Sequence, residues 1–238
     1  VTNREAVAVS DDLNYGLIYS SLRLLPEDEN DTTDVYKYTP HGLVLVSRTA
    51  DGHAAGGRPP MGFNAGQVVT QPGALSSDGT RAFFHHDGPL EGEGEALVQN
   101  VYMDDGRTIR HISHRRGPDR TTPDDVYFEG ASADGSIVYL LSREQLTLDP
   151  TTPNRYSLYR YDVRTDELRL VASHMGDVRT LDTSRDGSTV VYTATSRLFV
   201  LRNGRLFDLG TLGLFDTVAA CRRVPGGEFR VGSFADAD

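Results

Sequence analysis

Hydrophobic positions along this chain come in short β-rich runs, each introduced by a polar turn. The run Ile137-Val138-Tyr139-Leu140-Leu141 has no polar alternation, and Ser132-Ala133-Asp134-Gly135-Ser136 stands before it. An unbroken apolar run bounded by turn residues reads as a strand covered on both faces. The next run, Ser157-Leu158-Tyr159-Arg160-Tyr161-Asp162, alternates more, as a strand does where water returns to one face. The pattern here predicts four strands, at 126–132, 137–142, 156–163 and 167–173, joined by tight turns at Asp134-Gly135 and Arg164-Thr165-Asp166.

The same cassette recurs at Ser76-Ser77-Asp78-Gly79-Thr80 and Ser184-Arg185-Asp186-Gly187-Ser188. A worn copy stands at Ser10-Asp11-Asp12-Leu13-Asn14 and a last one at Pro225-Gly226-Gly227. Asp78, Asp134 and Asp186 lie 56 and 52 residues apart, a period that belongs to propellers and solenoids. The first unit predicts strands at 5–10, 15–20, 34–39 and 43–47, and the second at 81–86, 97–103 and 108–113. The fourth predicts strands at 189–193, 197–202 and 205–209, with Asn203-Gly204 as a hairpin turn. The fifth has strands only at 217–224 and 228–234. The expected fold is therefore an all-β propeller of four-stranded antiparallel blades in one domain. Its blades fall at 1–47, 66–113, 126–173 and 178–210, with a partial one at 217–238. Because the first unit already reads as complete, it has no spare strands for the fifth. An open arc is expected, or part of a larger propeller finished by further blades or a partner chain.

Composition narrows the partners. A formal net charge of -10 argues against nucleic acid, because neutralising phosphates needs a clustered excess of Lys and Arg. No apolar run approaches the roughly 20 residues that span a bilayer, so the chain is not expected to cross a membrane. The single cysteine, Cys221, follows Val218, Ala219 and Ala220 and reads as a small buried hydrophobe.

In a four-stranded blade the loop between strands two and three shares a face with the crossovers between blades. The long segments fall there, at 25–33, 87–96 and 143–155, with crossovers at 48–67 and 114–125, and loops on a rigid scaffold are where binding usually resides. The candidate binding residues are Glu27, Asp28, Glu29, Asp31, Glu91, Glu93, Arg115 and Arg116. In the first loop Asp28, Asn30, Thr32 and Asp34 place oxygens at alternate positions, as in the wrapping of calcium, although the central Gly and distant Glu of an EF-hand are missing. A solvated acidic loop is the competing reading. His85, His86, Asp87, His111 and His114 raise a transition-metal reading. Strand alternation opposes it, since neighbours on a strand, and residues three apart, point to opposite faces. Gly130-Ala131-Ser132-Ala133-Asp134 comes within one residue of a nucleophile elbow, but a turn between two strands lacks the helix that elbow needs.

The Ser-x-Asp-Gly turns, the Val-Tyr or Phe-Phe second strands and the stretch Leu158-Tyr159-Arg160-Tyr161-Asp162-Val163-Arg164-Thr165-Asp166 resemble TolB-type propeller repeats. The chain departs from that pattern at Ser77, Ala133 and Arg185, where Pro is usual, and at Asp166, where Gly is usual. The resemblance implies a binding or scaffolding module of a bacterial envelope or exterior, meeting a protein or carbohydrate partner without catalysis. The other class it implies is the propeller of a peptidase, hydrolase or lyase whose catalytic part lies elsewhere.

Overall fold

The computed structural model describes residues 4–58, 73–90, 98–118, 123–175 and 178–211, and the backbone of two short strands at 222–223 and 229–230. Every regular element described is a strand, and among the described residues no helix is long and apolar enough to cross a membrane. The first blade is a sheet of β1 (Arg4–Val9), β2 (Gly16–Ser20), β3 (Asp34–Thr39) and β4 (Gly42–Leu45) in chain order. The second contains β5 (Ala82–Asp87), β6 (Gln99–Asp104) and β7 (Ile109–His111), with Leu75 bridged to Ala82 where the other blades have an inner strand. The third comprises β8 (Val126–Ala131), β9 (Ile137–Ser142), β10 (Tyr156–Asp162) and β11 (Glu167–Met175). The fourth comprises β12 (Val178–Thr183), β13 (Thr189–Ala194), β14 (Arg197–Arg202) and β15 (Arg205–Thr211). A last antiparallel pair, β16 (Arg222–Arg223) and β17 (Phe229–Arg230), falls inside the fifth unit. The architecture is the expected all-β propeller of four-stranded antiparallel blades. Cys221, Glu91, Glu93 and most of the fifth unit lie outside the described residues.

The unbroken apolar run at β9 has a physical cause. Val138 and Leu140 join a core shared with Phe83, Val101, Met103 and Ile112 of the second blade. Ile137, Tyr139 and Leu141 join another, with Val190, Tyr192 and Leu201 of the fourth. Alternate residues of one strand thus bury against different blades, and all six residues of β9 are buried. Phe83 and Phe84 divide in the same way, the first with its ring centre 5.1 Å from that of Phe128 in the third blade and the second in a core with Leu17, Val35 and Val46 of the first. In the fourth blade Leu206, Phe207 and Leu209 of the outer strand β15 are exposed.

The turn cassette is the same set of bonds four times over. The serine hydroxyl donates to the aspartate two residues on, at 2.6–2.7 Å, in Ser10–Asp12, Ser76–Asp78, Ser132–Asp134 and Ser184–Asp186. That aspartate accepts the backbone N–H of Asn14, Thr80, Ser136 or Ser188 at 3.0 Å. The serine oxygen in turn accepts the N–H that opens the next strand. Successive turns are also tied to one another. The N–H of Asp11 donates to Ser77 O, that of Ser77 to Ala133 O and that of Ala133 to Arg185 O, at 3.0, 2.6 and 2.7 Å. The Arg185 guanidinium reaches Asp11 at 2.7 Å, linking the fourth turn to the first. Ser132, the residue of the elbow-like motif, is buried and spent in this network.

Gly187 has φ +67 and a Cβ added there would sit 2.5 Å from Ile137 Cβ of the preceding blade, whereas Gly204 has φ +74 and open space around it. Both positions strain an L-residue, but only Gly187→Ala also forces a clash. Gly187→Ala is expected to cost roughly 1–3 kcal/mol more than Gly204→Ala in denaturant unfolding. Equal costs would mean that the turn does not pack on Ile137.

The cassette aspartates also set an acid limit. At Asp12 and Asp186 the serine hydroxyl bond leads in lowering the carboxyl pKa below its usual value. At Asp78 and Asp134 burial pushes upward, but the serine and backbone bonds outweigh it and the net shift is again downward. A carboxylate with a lowered folded pKa contributes stability above its unfolded pKa and loses it as pH falls through the folded value. Stability should therefore fall on acidification below about pH 4. Asp134→Asn should be less stable at neutral pH and show a shallower acid limb, measured by urea unfolding at stepped pH.

Candidate binding site

The crossover-face loops of three blades are fastened by one device. In β3, β6 and β10 the tyrosines Tyr36, Tyr102 and Tyr159 occupy equivalent positions, opposite Ile18, Phe84 and Leu140. The Tyr102 hydroxyl donates to Gly88 O at 3.2 Å and accepts the N–H of Leu90 at 3.0 Å. Tyr159 donates to Glu144 O at 2.6 Å and accepts from Leu146 at 3.2 Å. Tyr36 lies between Leu22 O, at 3.1 Å, and the Asp28 carboxylate, and takes the N–H of Leu24 at 3.5 Å. In the fourth blade the loop shrinks to Thr195 and Ser196, both at positive φ, and the equivalent residue opposite Tyr192 is Phe199. Where no loop has to be held, the hydroxyl is gone.

The acidic residues of the first loop divide in two. Glu27, Glu29 and Asp31 are exposed, whereas Asp28 and Asp34 are buried. Asn30 Oδ1 accepts both the N–H and the hydroxyl of Thr32, at 2.7 and 2.5 Å. Arg23 pairs with Asp31 at 2.8 Å and donates to Asn30 O, so the loop's outer edge is braced. Arg115 and Arg116 clasp the second crossover to the third blade. Arg115 pairs with buried Glu144 at 3.1 Å, and Arg116 pairs with Asp166 at 2.8 Å while lying over the Tyr161 ring.

The histidines are spent on the scaffold. Burial drives the pKa of His85 and of His111 down to about 3, leaving both rings neutral. His86 bridges Gly88 O and Ala55 O. Strand alternation would point His111 and His114 apart, yet their rings meet edge-on at 5.7 Å, because β7 ends at His111 and alternation does not continue past it. No cluster of three or more His, Cys, Asp or Glu suited to a metal occurs among the described residues.

Grooves lie between the described blades. On the crossover face, Thr32, Thr33 and Ala55 of the first blade face His86, Asp87 and Arg58 around a cavity of about 290 Å³. On the opposite face, a cavity of about 530 Å³ between the third and fourth blades is lined by Arg160, Arg164 and Arg169 with Asp186, Ser188 and Asn203. Arg160 and Arg169 are direct cross-strand partners on β10 and β11, a like-charge pairing that disfavours the sheet. Glu167 takes Arg169 at 2.6 Å and Asp162 lies 3.6 Å from Arg160. Arg164 makes a 3.4 Å bond to the Ser136 hydroxyl. Guanidinium groups so placed can grip a carboxylate or phosphate through paired N–H donors. Sequence reasoning passes over this site, although its signal is present in the arginines set symmetrically about the Arg164-Thr165 turn.

No family model matches the chain, and no curated protein matches it. Solved structures do match in fold. A TolB from Agrobacterium tumefaciens aligns at 14% identity over 88% of this chain and 65% of that one, with TM-score 0.52. Dipeptidyl peptidase 4 of Porphyromonas gingivalis aligns at 12% identity over 93% and 35%, with TM-score 0.54. An oligogalacturonate lyase in complex with manganese aligns at 14% over 96% and 56%, with TM-score 0.50. The chain spans less than two thirds of the length of each. At these identities the likeness establishes a TolB-like propeller fold.

If the tyrosine hydroxyls hold the loops, Tyr159→Phe should lower stability by about 1–3 kcal/mol, since the Leu146 N–H and Glu144 O are left buried without it. The same substitution at half-exposed Tyr38 should stay within about 0.5 kcal/mol. Hydrogen exchange at Leu146 that is unchanged in Tyr159→Phe would refute the fastening.

Proposed function

We propose that this chain is a non-catalytic propeller module that presents its crossover-face loops to a protein or carbohydrate partner. The observation that carries the reading is the repeated tyrosine fastening. Three loops of unrelated sequence hang from one backbone-directed bond pattern, while their outward residues, such as Glu27, Glu29 and Asp31, are free to differ. Preorganising a loop lowers the ordering cost of binding, which is how a rigid scaffold supports recognition. The acidic edge of the first loop and the net charge of -10 favour a partner with basic groups at the contact.

A second reading is favoured by the arginine-lined groove on the other face. There the ligand is anionic, a carboxylate-bearing carbohydrate or an acidic peptide.

One experiment separates the two. The labelled whole chain is applied to a glycan array and a displayed-peptide library at low and high salt, beside the double variant Glu27→Lys, Glu29→Lys and the single variant Arg164→Glu. Saturable, salt-sensitive binding that the double variant weakens at least about tenfold, a loss of roughly 1.4 kcal/mol, supports the crossover face. Loss confined to Arg164→Glu moves the site to the groove. Binding that neither change affects, or cleavage of the captured ligand, overturns the proposal.

A further inference from the structure

The first blade differs from its neighbours at one buried position. Asp34, Asn100 and Ser157 stand at the same point of the blade, each two residues before the fastening tyrosine, paired with Ser20, His86 and Ser142. The second and third blades fold with a neutral side chain there, so the fold itself does not require a charge. Asp34 is nonetheless fully buried. Its Oδ1 accepts the Ser47 hydroxyl at 2.7 Å and the Gly56 N–H at 3.0 Å, and its Oδ2 has no hydrogen-bond partner.

Asp28 repeats the anomaly. It is 3% exposed, one oxygen meets the Tyr36 hydroxyl, and Oδ1 has no partner. Neither carboxylate makes an ion pair among the described residues, and the nearby Arg23 is engaged by Asp31 and Asn30 O. The groups that touch them are the Tyr36 and Ser47 hydroxyls and the Gly56 N–H, with the Asn30 side chain beside Asp34. Buried carboxylates are retained when something positive answers them, and carboxylate oxygens suit a hard ion.

We propose that Asp28 and Asp34 bind a hard divalent cation, calcium by preference, through Asp28 Oδ1 and Asp34 Oδ2, with loop oxygens and water completing the shell. Asn30 and Thr32 satisfy each other and shape the turn beside it. The site clamps the first crossover-face loop to the start of β3, whatever that face recognises, so it stands or falls apart from the binding proposal.

The test uses the whole chain stripped with chelator. Thermal unfolding is followed against calcium, with magnesium as control, and terbium luminescence is excited through tyrosine, since the chain has 11 Tyr and no Trp. Wild type should gain about 3–6 °C at ~10 mM calcium, the shift given by a dissociation constant near 1 mM, and calcium should displace the terbium signal. Asp34→Asn, which copies the second blade, should be at least as stable as wild type without metal and gain nothing from calcium. Asp28→Asn, on the loop, should lose the gain as well and serves should Asp34→Asn fail to fold. A wild-type midpoint indifferent to calcium overturns the proposal, as does a gain that survives in Asp28→Asn.

Discussion

A strand such as β9 is stable only because a sheet covers each of its faces. Every residue from Ile137 to Leu141 would be half-exposed in an isolated blade, and two-sided burial removes that cost by making neighbouring blades mutually necessary. The shared cores, at about 25 cal/mol per Å² of apolar surface buried, hold the described blades together. They are non-directional, however, and leave sliding between sheets unopposed. The turn network supplies direction. One backbone bond from each Ser-x-Asp turn to the next fixes adjacent blades in height and rotation, and the serine–aspartate bonds keep each turn rigid enough for that single bond to matter.

The worn first cassette shows which parts of the turn are indispensable. Leu13 stands at φ 60, where Gly79, Gly135 and Gly187 stand in the other copies, and its side chain is 72% exposed. The glycine has been lost at a site where a side chain can point into water, although the left-handed conformation still costs about 1–2 kcal/mol. The serine and aspartate remain, and Asn14 reinforces Asp12 with a second bond at 2.7 Å. The hydroxyl–carboxylate pair, more than the glycine, defines the repeat.

Much of this is legible in the residues. The repeat period, the two-sided strand and the tight turns follow from pattern alone, and β8 to β11 fall within two residues of the expected bounds. The inner strand β12 escapes the pattern, because its only apolar residues, Val178 and Leu181, stand three apart among polar ones and give no period-two signal. The site is less legible. Whether Asp28 or Glu29 faces inward depends on how a loop of 13 residues between β2 and β3 drapes over Tyr36, and no local periodicity encodes that. The roles of Arg115 and Arg116 depend on Glu144 and Asp166, 29 and 50 residues away in sequence, and a pairing of that kind leaves no mark on spacing.

Two of the buried acids, Asp104 and Glu144, are answered in one way. Asp104, fully buried at the end of β6, has Arg48 at 2.9 Å and Lys37, the sole lysine, at 3.7 Å. Glu144 has Arg115 at 3.1 Å. Each of these pairs joins a residue of one blade, or of the crossover that leaves it, to the next blade. Such a pair is weak evidence for net stability, because desolvation offsets much of its Coulomb energy, but losing one partner strands the other charge in the interior. Electrostatic matching thus serves Asp104 and Glu144 at these blade junctions. Asp28 and Asp34 depart from it while lying within one blade, each with a buried oxygen that has no hydrogen-bond partner. A sequence that spends its only lysine on Asp104 had the means to answer these two with a side chain. That they are left to each other, beside a backbone fastened by Tyr36, is more economically explained by a positive charge from outside the chain than by tolerance of two unanswered acids.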